Sequence, residues 1–136
     1  MIQIKNFTSK YHISILVAII TFSFIIKLIY VFYFSEYSQY LYSDMGGYWN
    51  RALASYAGDN TSIGQWSIWP PFPHMTLAWF FKVLYVLGLE NHKLEATMFM
   101  NVLLSTMTVI FVYLIARKLD DSKNYALIVV VIYAFF

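Results

Sequence analysis

The sequence predicts an all-α protein built from polytopic transmembrane helices, with an interfacial amphipathic helix in the first extracytoplasmic loop. Composition gives the first reason. Of 136 residues, 60% are hydrophobic and 12% charged, with a mean hydropathy of +0.61. A soluble domain carries about 25% charged residues. Run length gives the second, because the apolar stretches are long enough to cross a hydrocarbon core of roughly 30 Å. The third is the 21% of aromatic residues, many beside those runs, where amphipathic rings sit at headgroup level. The net charge of +2 comes from scattered basic residues, which leaves no stripe for nucleic acid. With no cysteine, disulfides, thiolate metal sites and thiol nucleophiles are excluded. The sequence contains no internal repeat, Gly-rich phosphate loop, nucleophile elbow or His-Glu-x-x-His motif.

The first span is expected at 13–34. It is too long for the apolar core of a signal peptide. Its end, Tyr30-Val31-Phe32-Tyr33-Phe34, has no small-residue cleavage site, so it reads as a retained anchor. A polar external loop follows at 35–71. Within it, Met45, Tyr48, Trp49, Ala52, Leu53 and Tyr56 recur at helical spacing on one face. Ser43 or Asp44 supplies the N-cap, and Gly58-Asp59-Asn60 ends the helix. Such a helix is expected to lie flat on the membrane, aromatic face down. Pro70, Pro71 and Pro73 impose extended backbone and then start a helix. A second span is expected at 72–89, closed by Gly88 and Glu90-Asn91-His92-Lys93. A third is expected at 96–116, followed by Arg117 and Lys118. Asp120-Asp121-Ser122-Lys123-Asn124 makes a tight turn. The run 125–136 opens a fourth span and is too short to cross as a helix. The chain is therefore expected to be the N-terminal part of a larger module, or a truncated frame. In this arrangement Lys5, Lys10 and Lys93 oppose Arg51, Arg117, Lys118 and Lys123, and the positive-inside count does not choose a side.

Asp44, just beyond the first span, has two readings. It is a helix cap, or it is a general base. In a low-dielectric interfacial cleft a carboxylate is driven toward its neutral form and can take a proton from a hydroxyl. Arg51, two turns on, either holds a lipid phosphate with its planar fork or simply meets headgroups. Tyr48, one turn after Asp44, is a membrane-facing ring or part of the same site. Lys27 either snorkels to the interface or faces a cavity or partner inside the membrane. His74, in the first turn after the prolines, either contacts a phosphate or sugar at the helix N-terminus or is an interfacial His with no role. His12 and His92 have no ligand-spaced partner, and no metal site is indicated. Thr97, Asn101, Ser105 and Thr108 form a polar stripe of the kind that bonds neighbouring helices.

The order of these features resembles the N-terminal part of the GT-C glycosyltransferases, the integral-membrane class that uses polyprenyl-phosphate sugars. The likeness is greatest to protein-mannosyltransferase and aminoarabinose-transferase relatives. It is carried by the first span, by Ser43-Asp44 with Tyr48, Arg51 and Ala52, and by Trp69-Pro70-Pro71-Phe72-Pro73. Asn101-Val102-Leu103-Leu104-Ser105-Thr106-Met107-Thr108-Val109 and Tyr113-Leu114-Ile115-Ala116-Arg117-Lys118-Leu119 complete it. The resemblance implies a multi-pass inner-membrane protein with its N-terminus inside and the first loop outside. It implies a polyprenyl-phosphate sugar donor, membrane lipid, and a glycan, lipid or protein acceptor. Asp44 occupies the position of the family's base, and Arg51, Tyr48, His74 and Lys27 are candidates for substrate or lipid phosphate. Many members carry a second acid beside the first. Met45 stands there in this chain, which argues against the protein-mannosyl branch and against a divalent metal. No cofactor is identified. The family module needs about seven spans, so this length alone is expected to be inactive. The alternative is a non-enzymatic membrane subunit or a transporter fragment.

Overall fold

The computed structural model describes residues 2–41, 43–59 and 70–135. Helix α1 covers Ile2–Ile29 and continues as a π-turn over Tyr30–Phe34. Helix α2 is Ser43–Tyr56, α3 Pro71–Val86, α4 Lys93–Leu119 and α5 Lys123–Phe135. Short 3-10 turns occupy Tyr37–Tyr40 and Glu90–His92, and no strand occurs among the described residues. Two stretches are long and apolar enough to cross a membrane: Tyr11–Phe34 and Glu90–Leu119. The second span expected at 72–89 differs. Helix α3 has 16 residues, roughly 24 Å at ~1.5 Å per residue, short of the roughly 30 Å hydrocarbon core.

The helix stops where glycine permits a left-handed turn. Gly88 has φ +72°. Its N–H donates to the Tyr85 carbonyl at 3.0 Å, and the Leu89 N–H donates to the Leu84 carbonyl at 2.8 Å. This paired arrangement satisfies orphan carbonyls at a helix end. Gly58, at φ +81°, ends α2 in the same way, with Asp59 N–H on the Ala54 carbonyl at 2.9 Å. Asn60 and Trp69, parts of the expected stop and of the extended run before α3, lie outside the described residues. Pro70 is extended and Pro71 opens α3, as its fixed φ and missing N–H favour.

The chain divides into two compact units, 1–34 with 99–136, and 35–98. In the first, α1, α4 and α5 share a core. Val109, Val130 and Ala134 are buried against Leu16, Ile19, Ile20, Val112 and Tyr113. Ser23 is 1% exposed, its Oγ 3.5 Å from the Ala134 carbonyl oxygen. Small residues of this kind let membrane helices approach closely. The turn before α5 is held by the Ser122 N–H on Asp120 Oδ1 at 2.6 Å and the Tyr125 N–H on Ser122 Oγ at 3.3 Å.

The polar stripe of α4 behaves differently from the interhelical expectation. Thr97 donates to the Lys93 carbonyl at 2.7 Å, and Thr108 to the Leu104 carbonyl at 2.9 Å. These hydroxyls are satisfied on their own helix, four residues back. Ser105 instead bonds a residue of α1.

In the second unit α2 packs on α3. Phe81 is completely buried, edge-on to Trp49 at 5.0 Å and to Tyr56 at 6.2 Å between ring centroids. Ala52, Ala78 and Leu84 complete the buried cluster, with Leu53 and Ala96 against it. The aromatic stripe read as membrane-facing is therefore largely covered by protein. Met45 alone of the buried-face candidates stays more than half exposed, and Tyr48 is half-buried. Periodicity identified the face, while its partner is α3 rather than lipid.

Gly46 lets α2 approach the preceding backbone closely. A Cβ built there would lie 2.7 Å from the Leu41 carbonyl oxygen, and backbone cannot swing aside as a side chain can. Helix propensity alone favours alanine over glycine by about 1 kcal/mol. Overpacking against a fixed group costs about 1–3 kcal/mol, so the clash wins. Gly46→Ala is expected to lower the thermal midpoint of the helical signal in detergent. A raised midpoint would show that Leu41 does not approach Gly46.

Candidate functional site

The residues of interest fall in both units. Asp44 lies in the first turn of α2, after Ser43, which opens the helix at φ 52°. Non-glycine residues reach that left-handed region uncommonly, serine at some steric cost. A carboxylate in a first turn is favoured by the helix dipole. The 3.6-residue period places Tyr48 one turn and Arg51 nearly two turns along the same flank. That flank borders the face that covers α3. Asp44 is exposed, while Tyr48 and Arg51 are half-buried. Among the described residues, no hydrogen bond or ion pair engages the Asp44 carboxylate.

His74, in the first turn of α3, is completely buried. Both ring nitrogens are shielded from solvent, so the phosphate or sugar contact expected at this position has no solvent route to the ring. The residue serves the interior of the α2–α3 unit.

Lys27 belongs to the other unit. Its Nζ donates to Ser105 Oγ at 2.9 Å and approaches the Ser105 carbonyl oxygen at 3.4 Å. The side chain therefore does not snorkel out of the helix pair. It reaches across to α4 and lines a groove of about 320 Å³ with Ile26, Tyr30, Val31, Asn101, Val102 and Ser105.

A further polar cluster has only a partial signal in the sequence. The Tyr56 hydroxyl donates to Glu90 Oε1 at 2.9 Å. Lys93 Nζ lies 3.1 Å from the same oxygen and 4.7 Å above the Tyr56 ring. Burial, and then the bond to Glu90, push the Tyr56 phenol above its ordinary range. The Glu90–Lys93 pairing is visible as an i, i+3 spacing. Tyr56, 34 residues earlier, has no local signal. Among the described residues, no group of three or more His, Cys, Asp or Glu side chains is placed to hold a metal.

No protein family, curated protein or solved structure matches the chain.

Tyr56→Phe keeps the ring against Phe81 and under Lys93 and removes the hydroxyl alone. A hydrogen bond to a charged group contributes less where water competes for it than where it is shielded. The variant is expected to loosen the α2–α3 unit modestly. Hydrogen exchange at the end of α2 would read this as faster exchange of the Leu53–Tyr56 amides. Unchanged exchange would make the contact incidental.

Proposed function

We propose that this chain is an integral membrane protein in which α1 and α4 cross the bilayer while residues 35–92 stay on one face. The Tyr56–Glu90 bond supports this. Under the expected second span, those residues stand on opposite sides of roughly 30 Å of hydrocarbon, and a 2.9 Å bond joins them instead. The length of α3 and the exposed Lys82 within it agree. The charge count then chooses a side. Lys5, Lys10, Arg117, Lys118 and Lys123 fall together, against Arg51, Lys82 and Lys93, so the five face the cytoplasm by the positive-inside rule. Residues 35–92, with Asp44, then face outward.

On that outer face the reading we favour is a GT-C-like glycosyltransferase that takes its sugar from a polyprenyl-phosphate carrier. The observation that carries it is the position of Asp44. It lies ten residues beyond the first span, exposed in the first turn of α2, with its carboxylate unengaged among the described residues. The acceptor hydroxyl oxygen attacks the anomeric carbon while its proton passes to Asp44. The bond from that carbon to the phosphate oxygen breaks, and polyprenyl phosphate leaves with the electron pair. In-line displacement inverts the anomeric centre. Arg51 is placed to steady the phosphate through charge-assisted bonds.

One observation favours a different class. Asp44 is exposed, and an exposed acid in a first turn is sufficiently explained by the helix dipole. A non-enzymatic membrane subunit needs nothing more from it.

Asp44→Asn separates the two. General-base catalysis contributes about 10²–10⁴-fold, so transfer from labelled polyprenyl-phosphate sugars in membranes containing the chain should fall by about that factor, with helix content unchanged. The assay is made with the chain joined to the further spans that the family module needs, and equal transfer by both proteins in that setting would sink the transferase reading and leave the subunit.

A further inference from the structure

Lys27 sits about 10 Å inside the end of its apolar run at Phe34, at ~1.5 Å per residue. Cβ bonds tilt toward the helix N-terminus, which carries the side chain deeper. Its acceptor, Ser105, lies halfway along the 27 residues of α4. The ammonium is thus held inside the apolar run of the first helix, near the end of α1, and against the midpoint of the second, both stretches being long and apolar enough to cross a membrane.

Both its acceptors are neutral. Ser105 Oγ and the Ser105 carbonyl oxygen take two of the three N–H donors, and no carboxylate pairs with it among the described residues. Charged groups in spans are costly and pair with an opposite charge or face a cavity. Here the cavity is present. The groove is apolar apart from Lys27, Asn101 and Ser105, and it runs between α1 and α4. Asn101 adds an exposed amide beside the ammonium.

We infer that this groove is an interface for a further transmembrane helix, from outside these 136 residues, that carries a single carboxylate near its middle and pairs it with Lys27. Charge complementarity selects the occupant. A second copy of the chain cannot supply it, because the runs 11–34, 96–119 and 123–135 contain no Asp or Glu. A lipid headgroup fits less well, because its phosphate stays at the polar boundary while Ser105 holds the ammonium against the midpoint of α4. Asn101 completes the recognition by donating to the second carboxylate oxygen. The inference needs α1 and α4 in the bilayer and is independent of any role for Asp44.

The test uses the whole chain in phosphatidylcholine vesicles with labelled synthetic leucine-alanine transmembrane peptides. The peptides carry one central Asp or, as control, one central Asn, and energy transfer reads association. Wild type is expected to prefer the Asp peptide by about tenfold. Lys27→Met removes that preference. Lys27→Glu moves it to a peptide with one central Lys, a gain that a misfolded protein cannot give. The inference is overturned if wild type treats the Asp and Asn peptides alike, or if Lys27→Met keeps the preference. It is equally overturned if phosphatidic acid added to the vesicles abolishes the preference, which would make the occupant a lipid headgroup.

Discussion

The hydroxyl of Tyr56 and the carboxylate of Glu90 are 2.9 Å apart, and much of the second unit follows from that bond. It ties the last turn of α2 to the polar turn between α3 and α4. Between the two residues the chain leaves α2, enters α3 and returns. Phe81 fills the space this closure creates, edge-on to Trp49 and Tyr56. The side chains that could anchor α2 in lipid are instead used to build a small protein core. Lys93 closes the assembly from above, with its ammonium paired to Glu90 and lying over the face of the Tyr56 ring.

The first unit handles polarity in an apolar setting in two ways. Thr106 and Thr108 bond carbonyls four residues back, which is cheap because the helix already supplies the acceptor. Ser23 and Ala134 are small enough for α1 and α5 to approach. Lys27 cannot be treated so. A point charge with three donors exceeds what one serine can satisfy, and the space left beside it is a groove rather than packed side chains. Polarity that the helix satisfies alone is structural. Polarity that remains is where a partner is to be sought.

Much of the helical organisation was readable from the chain. The runs around Ile13–Phe34 and Ala96–Ala116 announce themselves by length. The 3.6-residue recurrence from Met45 to Tyr56 gives α2 and its apolar face, and Gly58, Gly88 and Pro71 mark boundaries by backbone chemistry. What covers a face was not readable. Periodicity states that Trp49 and Tyr56 are to be buried, and both lipid and α3 satisfy it. The run 72–89 looks like a span by hydropathy, yet Gly88 and a partner helix make it a short packed element. His74 reads as an interfacial ligand because a helix start invites one, while its complete burial depends on residues brought together by folding. Asp44 was singled out by its place after the first span. Its exposure could not be inferred, because neighbouring residues in sequence do not determine the walls of a cleft.

The proposal that residues 35–92 stay on one face of the membrane carries the rest of the account. It is most directly tested with single cysteines, introduced in turn at the exposed positions Asn50 and Asn91 of a chain that has none of its own. An impermeant maleimide applied to sealed cells is predicted to label both equally. Labelling of Asn50→Cys alone, with Asn91→Cys reacting only after permeabilisation, would put α3 across the bilayer and contradict the account.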